Sequence, residues 1–222
     1  MTKIPLNFNH IVSSNLNLFS SNGDICSLCD AAIAHDLLSV LVFPTSIPFC
    51  ANLLNHTSIK LDAVIAYPHG RSTLKSKIAE INEVAQLGAD AVTVYINYSA
   101  LRAGEKNVIA EEIQKLAKIC QKISLDLTIA LEGSILEPKH LKFALNTSIQ
   151  SKVDAFLSSY GASFSETCHQ ITQLASDKKS PIKLQAYLKK LNPKLIHKLN
   201  SLGADTIISV SYTHLRAHET LP

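Results

Sequence analysis

Lys183 is the most informative of the side chains in this sequence that could do chemistry. It stands between Ile182 and Leu184 in a short apolar run that predicts a β-strand. A lysine on such a strand either faces the interior of the fold or reaches outward between helices. We favour the interior, because a desolvated amine is suited to act as a nucleophile or as an electrostatic catalyst.

The other candidates stand near the ends of further apolar runs. Glu132-Gly133 ends one run, and a carboxylate in that position needs a partner or a catalytic purpose. Asn9 belongs to a weak first run, and residues 158–161 (Ser-Ser-Tyr-Gly) follow another. His69 lies in a Pro-His-Gly turn, where a structural hydrogen bond is the more common role of a histidine.

Cysteine usage and charge argue against several classes of function. Five cysteines, an odd number, do not predict a disulfide framework, and they fit a reducing cytoplasm. Cys26 and Cys29 form a lone C-x-x-C within a helical pattern without two further zinc ligands, so we expect no metal. The net charge of +3 is too small to predict binding to nucleic acid or to acidic membranes. No apolar run approaches the ~20 residues of a membrane span.

Residues 61–101 show how the chain positions these side chains. An apolar run at 61–67 ends in Pro68-His69-Gly70, residues 75–87 follow a helical period, and Gly88 precedes a second apolar run at 91–96. Strand, helix and strand at this spacing predict a right-handed βαβ unit. The same alternation continues along the whole chain. The predicted strands are residues 6–12, 37–43, 61–67, 91–96, 125–131, 153–157, 181–186 and 205–209.

Eight strands that alternate with helices predict an α/β fold, a (β/α)₈ barrel (TIM barrel), formed as one domain by residues 1–209. The tetrapeptide Leu-Gly-Ala-Asp recurs at 87–90 and 202–205, an offset that suits a half-barrel. The alternative architecture is an open doubly wound sheet. The G-x-G-x-x-G motif that would favour the open sheet does not occur.

The segment 210–222 does not follow this pattern. VSYTHLRAHETLP has no apolar stripe and supplies no helix to cover the eighth strand. We interpret it as a non-native tail, the in-frame translation of a sequencing adaptor. We therefore expect the natural sequence to differ after about Ser209, so that the C-terminal end of the barrel is truncated here.

Three stretches of this chain resemble the deoxyribose-phosphate aldolases. They are residues 62–70 with Lys77 and Glu80, the Gly88-Ala89-Asp90 turn with its strand ending at Ile96-Asn97, and residues 131–136. The resemblance implies a (β/α)₈ barrel that cleaves 2-deoxyribose 5-phosphate to glyceraldehyde 3-phosphate and acetaldehyde. It implies a class I aldolase that uses a lysine Schiff base without metal or other cofactor. By the same resemblance we expect a small sugar phosphate or aldehyde as ligand, and a monomer or homodimer.

The resemblance is poorer at the catalytic positions. Leu157 stands where the family has its Schiff-base lysine, and Thr93 stands where it has the proton-relay aspartate. Lys183 matches the second lysine, which lowers the pKa of the first. Ala186-Tyr187 replaces the Gly-Gly pair that grips phosphate. The expected substrate-binding positions are Asn9, Glu132, Ser159 and Gly161.

Three hypotheses follow from these replacements. In the first, the chain is a catalytically impaired or inactive aldolase homologue that keeps the barrel and binds a small ligand or a partner. In the second, it is an active class I aldolase or lyase in which Lys183 is the Schiff-base amine. In the third, the alignment of the sixth strand has slipped, and another lysine such as Lys152 enters the site.

Overall fold

The computed structural model of this chain describes residues 8–177 and 181–210. Within them, eight parallel strands form one closed barrel in which each strand pairs with its neighbours in chain order, and the last pairs with the first. The strands are β1 (Ile11–Asn15), β2 (Ser39–Val42), β3 (Lys60–Ile65), β4 (Ala91–Tyr95), β5 (Asp126–Ala130), β6 (Ala155–Leu157), β7 (Lys183–Tyr187) and β8 (Thr206–Ser209). The predicted (β/α)₈ barrel is confirmed.

Helices connect the strands and cover the outside of the barrel. They are α1 (Asn22–Ala34), α2 (Ile47–Leu53), α3 (Leu74–Gln86), α4 (Tyr98–Arg102), α5 (Lys106–Lys122), α6 (Pro138–Gln150), α7 (Phe164–Asp177) and α8 (Pro193–Ser201). In α5, for example, Ile109, Ile113 and Leu116 recur on one face and are fully buried. The apolar periodicity of the sequence therefore faces the sheet as predicted. The short α4 was not predicted.

The starts of α1 and β1 are set by local hydrogen bonds. Ser21 caps α1, and the Asp24 carboxylate accepts a hydrogen bond from the Ser21 backbone to complete a capping box. The first strand begins at Ile11 instead of residue 6, because Asn9 and His10 form a turn in which the Ile11 NH donates to Phe8. Asn9 consequently lies exposed before β1, at the amino-terminal end of the barrel. It does not lie at the carboxyl-terminal end, where the substrate-binding role was expected.

The turn after β3 is held by close backbone packing and by one buried lysine. A Cβ at Gly70, which has a φ of +64°, would lie 1.9 Å from the Ile96 carbonyl oxygen, so this turn requires glycine. The Lys77 ammonium donates to the Gly70 carbonyl at 2.6 Å and to the Tyr95 carbonyl at 2.7 Å. It also pairs with Glu112 at 2.5 Å. These contacts tie α3 and α5 to the carboxyl-terminal ends of β3 and β4.

The expected tail lies almost wholly outside the described residues, because residues 211–222 are not among them. The interpretation of that segment stays a prediction. No helix in the described part of the chain is long and apolar enough to cross a membrane.

Candidate active site

Working residues of a barrel of this kind lie at the carboxyl-terminal ends of its strands, around the mouth of the lumen. Strand pairing places Tyr95, Ala130, Leu157, Tyr187 and Ile208 on the lumenal face of the carboxyl-terminal half. All five are buried and pack into one apolar cluster. The lumen near the expected site is therefore apolar and closed.

Aromatic rings fill the carboxyl-terminal mouth above this cluster. The Tyr67 ring centroid lies 5.2 Å from that of Tyr95, 5.9 Å from that of Tyr160 and 6.0 Å from that of Phe43. The Tyr160 ring centroid lies 4.9 Å from that of Tyr187. We call these five residues the aromatic cap. Edge-to-face rings at such distances attract one another, so the cap is a packed layer over the lumen.

Two tyrosine hydroxyls of the cap differ in their hydrogen bonding. The Tyr160 hydroxyl lies 3.0 Å from the Ser14 hydroxyl, and Ser14 also donates to the Ser209 carbonyl next to it. The Tyr95 hydroxyl is buried and has no hydrogen-bond partner. Burial raises the pKa of both phenols above their ordinary value, so both are neutral near pH 7.

Leu157, which the resemblance aligns with the Schiff-base lysine, is fully buried beneath the cap. Its neighbours on the adjoining strands are Ala130 and Gln185. Lys152 lies in the turn before β6, at the amino-terminal end of that strand. The hypothesis that a lysine enters the lumen from β6 is therefore wrong.

Lys183 lies at the opposite end of the barrel from the expected site. It is the first residue of β7, it is exposed, and it borders a small cavity at the amino-terminal end together with Lys60 and Asp62. Two residues further toward the carboxyl-terminal end of β7, the buried Gln185 pairs with Leu157 of β6. The prediction that the Lys183 amine lies inside the lumen near the Schiff-base position is therefore wrong, because Lys183 lies at the exposed amino-terminal rim.

Thr93, which the resemblance aligns with the proton-relay aspartate, is fully buried and donates a hydrogen bond of 2.8 Å to Asp62. Asp62 lies on β3, with its side chain in the lumen. Burial raises the pKa of the Asp62 carboxyl to about 7, with a smaller upward effect from Asp126, while the Thr93 hydrogen bond lowers it. The lumen therefore keeps one carboxyl group, and it lies on the strand next to the expected one.

Sequence reasoning missed Asp62 as a site residue. The available signal was a lone aspartate inside a predicted, otherwise apolar strand, where a buried carboxyl demands an explanation. The aromatic cap was missed for another reason. Its members come from five different strands or loops, and no spacing along the chain links them.

Two of the expected substrate-binding residues meet at the carboxyl-terminal end. Ser159 donates to the Glu132 carboxylate at 2.9 Å and accepts from the Gly133 NH at 2.9 Å. Glu132 also accepts from the hydroxyl and NH of Ser134. This cluster ties the loops after β5 and β6 together. Gly161 is exposed near it, with a φ of +92° that disfavours a side chain.

The remaining candidates have structural contacts. His69 accepts a hydrogen bond from the Arg71 NH through its Nδ1, as a turn residue would. Cys26 and Cys29 both lie in α1, and the described residues contain no group of three or more His, Cys, Asp or Glu side chains that could hold a metal ion.

The chain is similar to known proteins in sequence and in fold. Residues 7–143 match the model of a family described as DeoC/LacD family aldolase. A deoxyribose-phosphate aldolase of Vibrio vulnificus is 30% identical over 157 residues, which are 70% of each chain. One of Ureaplasma parvum is 29% identical over 139 residues, 62% of this chain and 63% of that protein. The chain thus matches less than two thirds of that relative's length.

Solved structures with the same fold are more distant in sequence. A tetrameric deoxyribose phosphate aldolase of Aeropyrum pernix superposes with a TM-score of 0.86 at 20% identity, over 97% of this chain and 92% of that one. An aldolase called QR15 gives a TM-score of 0.85 at 20% identity, over 97% and 99%. At this level of identity the likeness establishes the barrel and nothing finer.

Proposed function

The chain belongs to the DeoC/LacD aldolase family, and from this premise we propose that it is a catalytically impaired or inactive member that forms no Schiff base in its lumen. The family reaction needs an amine at the carboxyl-terminal end of the lumen. The observation that carries the proposal is Leu157, fully buried in the place of that amine. An alkyl side chain has neither the lone pair nor the proton that imine formation needs.

The proton-relay position supports the same proposal. The Thr93 hydroxyl is far too weak an acid to shuttle protons near neutral pH, and it is already bound to Asp62. A positioned acid–base group is typically worth ~10²–10⁴ in rate. Asp62 does not replace it, because Asp62 lines a cavity at the amino-terminal end of the lumen, whereas the expected site lies at the carboxyl-terminal end.

The aromatic cap is the third support. Substrate would have to reach Leu157 through Tyr67, Tyr160 and Tyr187, which pack against one another. Tyr187 also puts a ring where close backbone approach to a phosphate is expected. Entry of a sugar phosphate would require this layer to open.

The alternative is an active class I aldolase that uses Lys183 as the Schiff-base amine. The position of Lys183 does not favour it, because an exposed lysine at the amino-terminal end lacks the desolvation that makes an amine reactive at neutral pH. Glu132 and Ser159 lie at the carboxyl-terminal end of the barrel, so they would not orient a substrate held on Lys183 at the opposite end.

Borohydride trapping tests the proposal. The protein is incubated with deoxyribose 5-phosphate or acetaldehyde plus borohydride, weighed intact and mapped by peptide mass spectrometry. We expect no stoichiometric adduct and no retro-aldol turnover. A single adduct on one lysine, together with turnover, would overturn the proposal.

Two lysine variants separate imine chemistry at Lys183 from surface labelling. Lys183→Met removes the candidate amine, and Lys60→Met removes another exposed lysine at the same end of the barrel. If turnover were present and lost only in Lys183→Met, the alternative would hold. Equal, low labelling in both variants is the expected result.

We also propose a ligand class, an oligomeric state and a cellular location for this protein. A small sugar phosphate or aldehyde, a monomeric or dimeric state and a cytoplasmic location follow from the family resemblance and the unpaired cysteines. The groove of about 440 Å³ that runs from Gly133 to Gln173 between the β5–α6 loop and α7 supports small-ligand binding at the carboxyl-terminal end.

A further inference from the structure

The small cavity that Lys183 borders lies in the amino-terminal half of the lumen, at the opposite end of the barrel from the aromatic cap. Its volume is about 60 Å³, and the side chains of Asp62, Thr128, Gln185 and Thr206 line it. All four residues are buried. A cavity of this size holds a small ion or a few waters.

Two of these side chains have buried oxygens without a hydrogen-bond partner. Thr93 donates to one oxygen of the Asp62 carboxyl, and the other, Oδ1, has no partner. The Thr206 hydroxyl has none either. Each residue is only 4% exposed, so bulk solvent does not satisfy these atoms. Buried polar atoms are rarely left without a partner, so both point to a bound species in the cavity.

The charges around the cavity define the sign of that species. Among the described residues that line it, Lys60 forms an ion pair with Asp126 at the rim. Lys183 and Asp154 contribute one further charge of each sign at the same rim. These rim charges balance one another, and Asp62 is the one ionisable group inside the cavity among the described residues that line it. When Asp62 is ionised, the cavity therefore carries one uncompensated negative charge.

The oxygens define the chemistry. One carboxylate, the hydroxyls of Thr128 and Thr206 and the amide oxygen of Gln185 are hard oxygen ligands of the kind that alkali and alkaline-earth cations prefer. A divalent cation would need more carboxylates than the one that the cavity offers. No lysine in the described part of the chain donates to Asp62, so the protein does not supply the positive charge itself.

We propose that the amino-terminal half of the lumen binds one monovalent metal cation, Na⁺ or K⁺, through the Asp62 carboxylate, the hydroxyls of Thr128 and Thr206, and the Gln185 amide oxygen. The site is independent of the proposed function. It lies at the other end of the barrel, and an inactive protein would keep it. The exposed rim at Lys183 gives the ion a path from solvent.

Thermal unfolding of the full chain at pH 8 and fixed ionic strength tests the site. The salts compared are NaCl, KCl and N-methylglucamine chloride, whose cation is too large for the cavity. A ligand that binds only the folded state raises the melting temperature, and we expect a rise of about 2–4 °C or more in Na⁺ or K⁺. Equal melting temperatures in the three salts would mean a cavity that holds only water, and would overturn the proposal.

Matched variants assign the effect to the cavity. Asp62→Asn should abolish the difference between the salts, whereas Asp177→Asn, which removes a carboxylate from a surface ion pair with Lys142, should keep it. Thr206→Val serves where Asp62→Asn does not fold, and it should shrink the difference. A crystal soaked in rubidium chloride should show an anomalous peak beside Asp62, and a cavity without that peak would overturn the proposal.

Discussion

At the scale of the residue, Asp62 is the most unusual group of the molecule. It is a carboxyl group buried in the lumen of a barrel, with a single hydrogen bond from Thr93 and a pKa of about 7. In the unfolded chain the same group has an ordinary pKa near 3.8. Folding therefore favours the protonated form of Asp62.

We expect this residue to make the fold less stable as the pH rises, in buffers without Na⁺ or K⁺. The stability that the protonated Asp62 contributes is fully present below about pH 4 and is lost as the pH approaches 7. This direction follows because the pKa of Asp62 is higher in the folded protein than in the unfolded chain. The difference between the two pKa values corresponds to about 4 kcal/mol. Urea unfolding of the wild type and Asp62→Asn from pH 4 to pH 8 measures it. If the free energy of unfolding fell equally with pH in the two proteins, Asp62 would not be the source of the pH dependence.

At the scale of the elements, one buried ion pair joins α3 and α5 to the strand ends. Lys77 is fully buried, and its ammonium donates to the Glu112 carboxylate at 2.5 Å. The same carboxylate accepts a hydrogen bond of 3.1 Å from the Asn97 NH. Burial lowers the pKa of Lys77, and Glu112 counteracts this. Two backbone carbonyls complete the shell of the ammonium, so every part of this charged group has a partner.

Lys77→Met should destabilise the protein strongly, because it leaves the Glu112 carboxylate buried without its cation. Loss of one partner from a buried pair costs about 3–5 kcal/mol. The matched control is Lys115→Met, which breaks an exposed pair with Glu111 on α5. Its unfolding midpoint should stay at the wild-type value. Chemical denaturation measures both, and similar losses in the two variants would refute the role of the buried pair.

At the scale of the whole molecule, the lumen is polar at its amino-terminal end and apolar at its carboxyl-terminal end. Asp62, Thr128 and Gln185 form the polar part, whereas Leu157 and the aromatic cap form the apolar part. An active site at the carboxyl-terminal mouth would need the opposite arrangement. The cap also links the loops after β3 and β6 with β4 and β7, so it closes the barrel as one layer.

The cap should therefore couple parts of the chain that are distant in sequence. We expect a double-mutant cycle of Tyr67→Leu and Tyr160→Leu to give a coupling energy of about 0.5–1.5 kcal/mol in unfolding experiments. Tyr67→Leu combined with Phe143→Leu, on the outer helix α6, is the control and should be additive. Additivity in the Tyr67–Tyr160 cycle would show that the rings of the cap do not act together.

The sequence allowed much of the fold to be predicted, and less of the site. Apolar runs and helical periods located all eight strands to within a few residues, with the largest error at β1, where Asn9 and His10 form a turn instead of part of the strand. The alignment of Leu157 with the Schiff-base lysine also came from the sequence, and it stays a prediction. The position of Lys183 was predicted wrongly, because a β-strand of five residues has two ends and the apolar pattern alone does not say which end a side chain is near.

The sequence by itself therefore determined the alternation of strands and helices and the barrel that they form, since these depend on the local periodicity of apolar residues. Only the tertiary structure decided which groups share the lumen. Asp62 and Thr93 are 31 residues apart along the chain, a separation that no periodic sequence pattern links. They meet only because β3 and β4 pair in parallel. The cap and the polar cavity arise in the same way, because closure of the sheet brings every second side chain of eight strands into one narrow space.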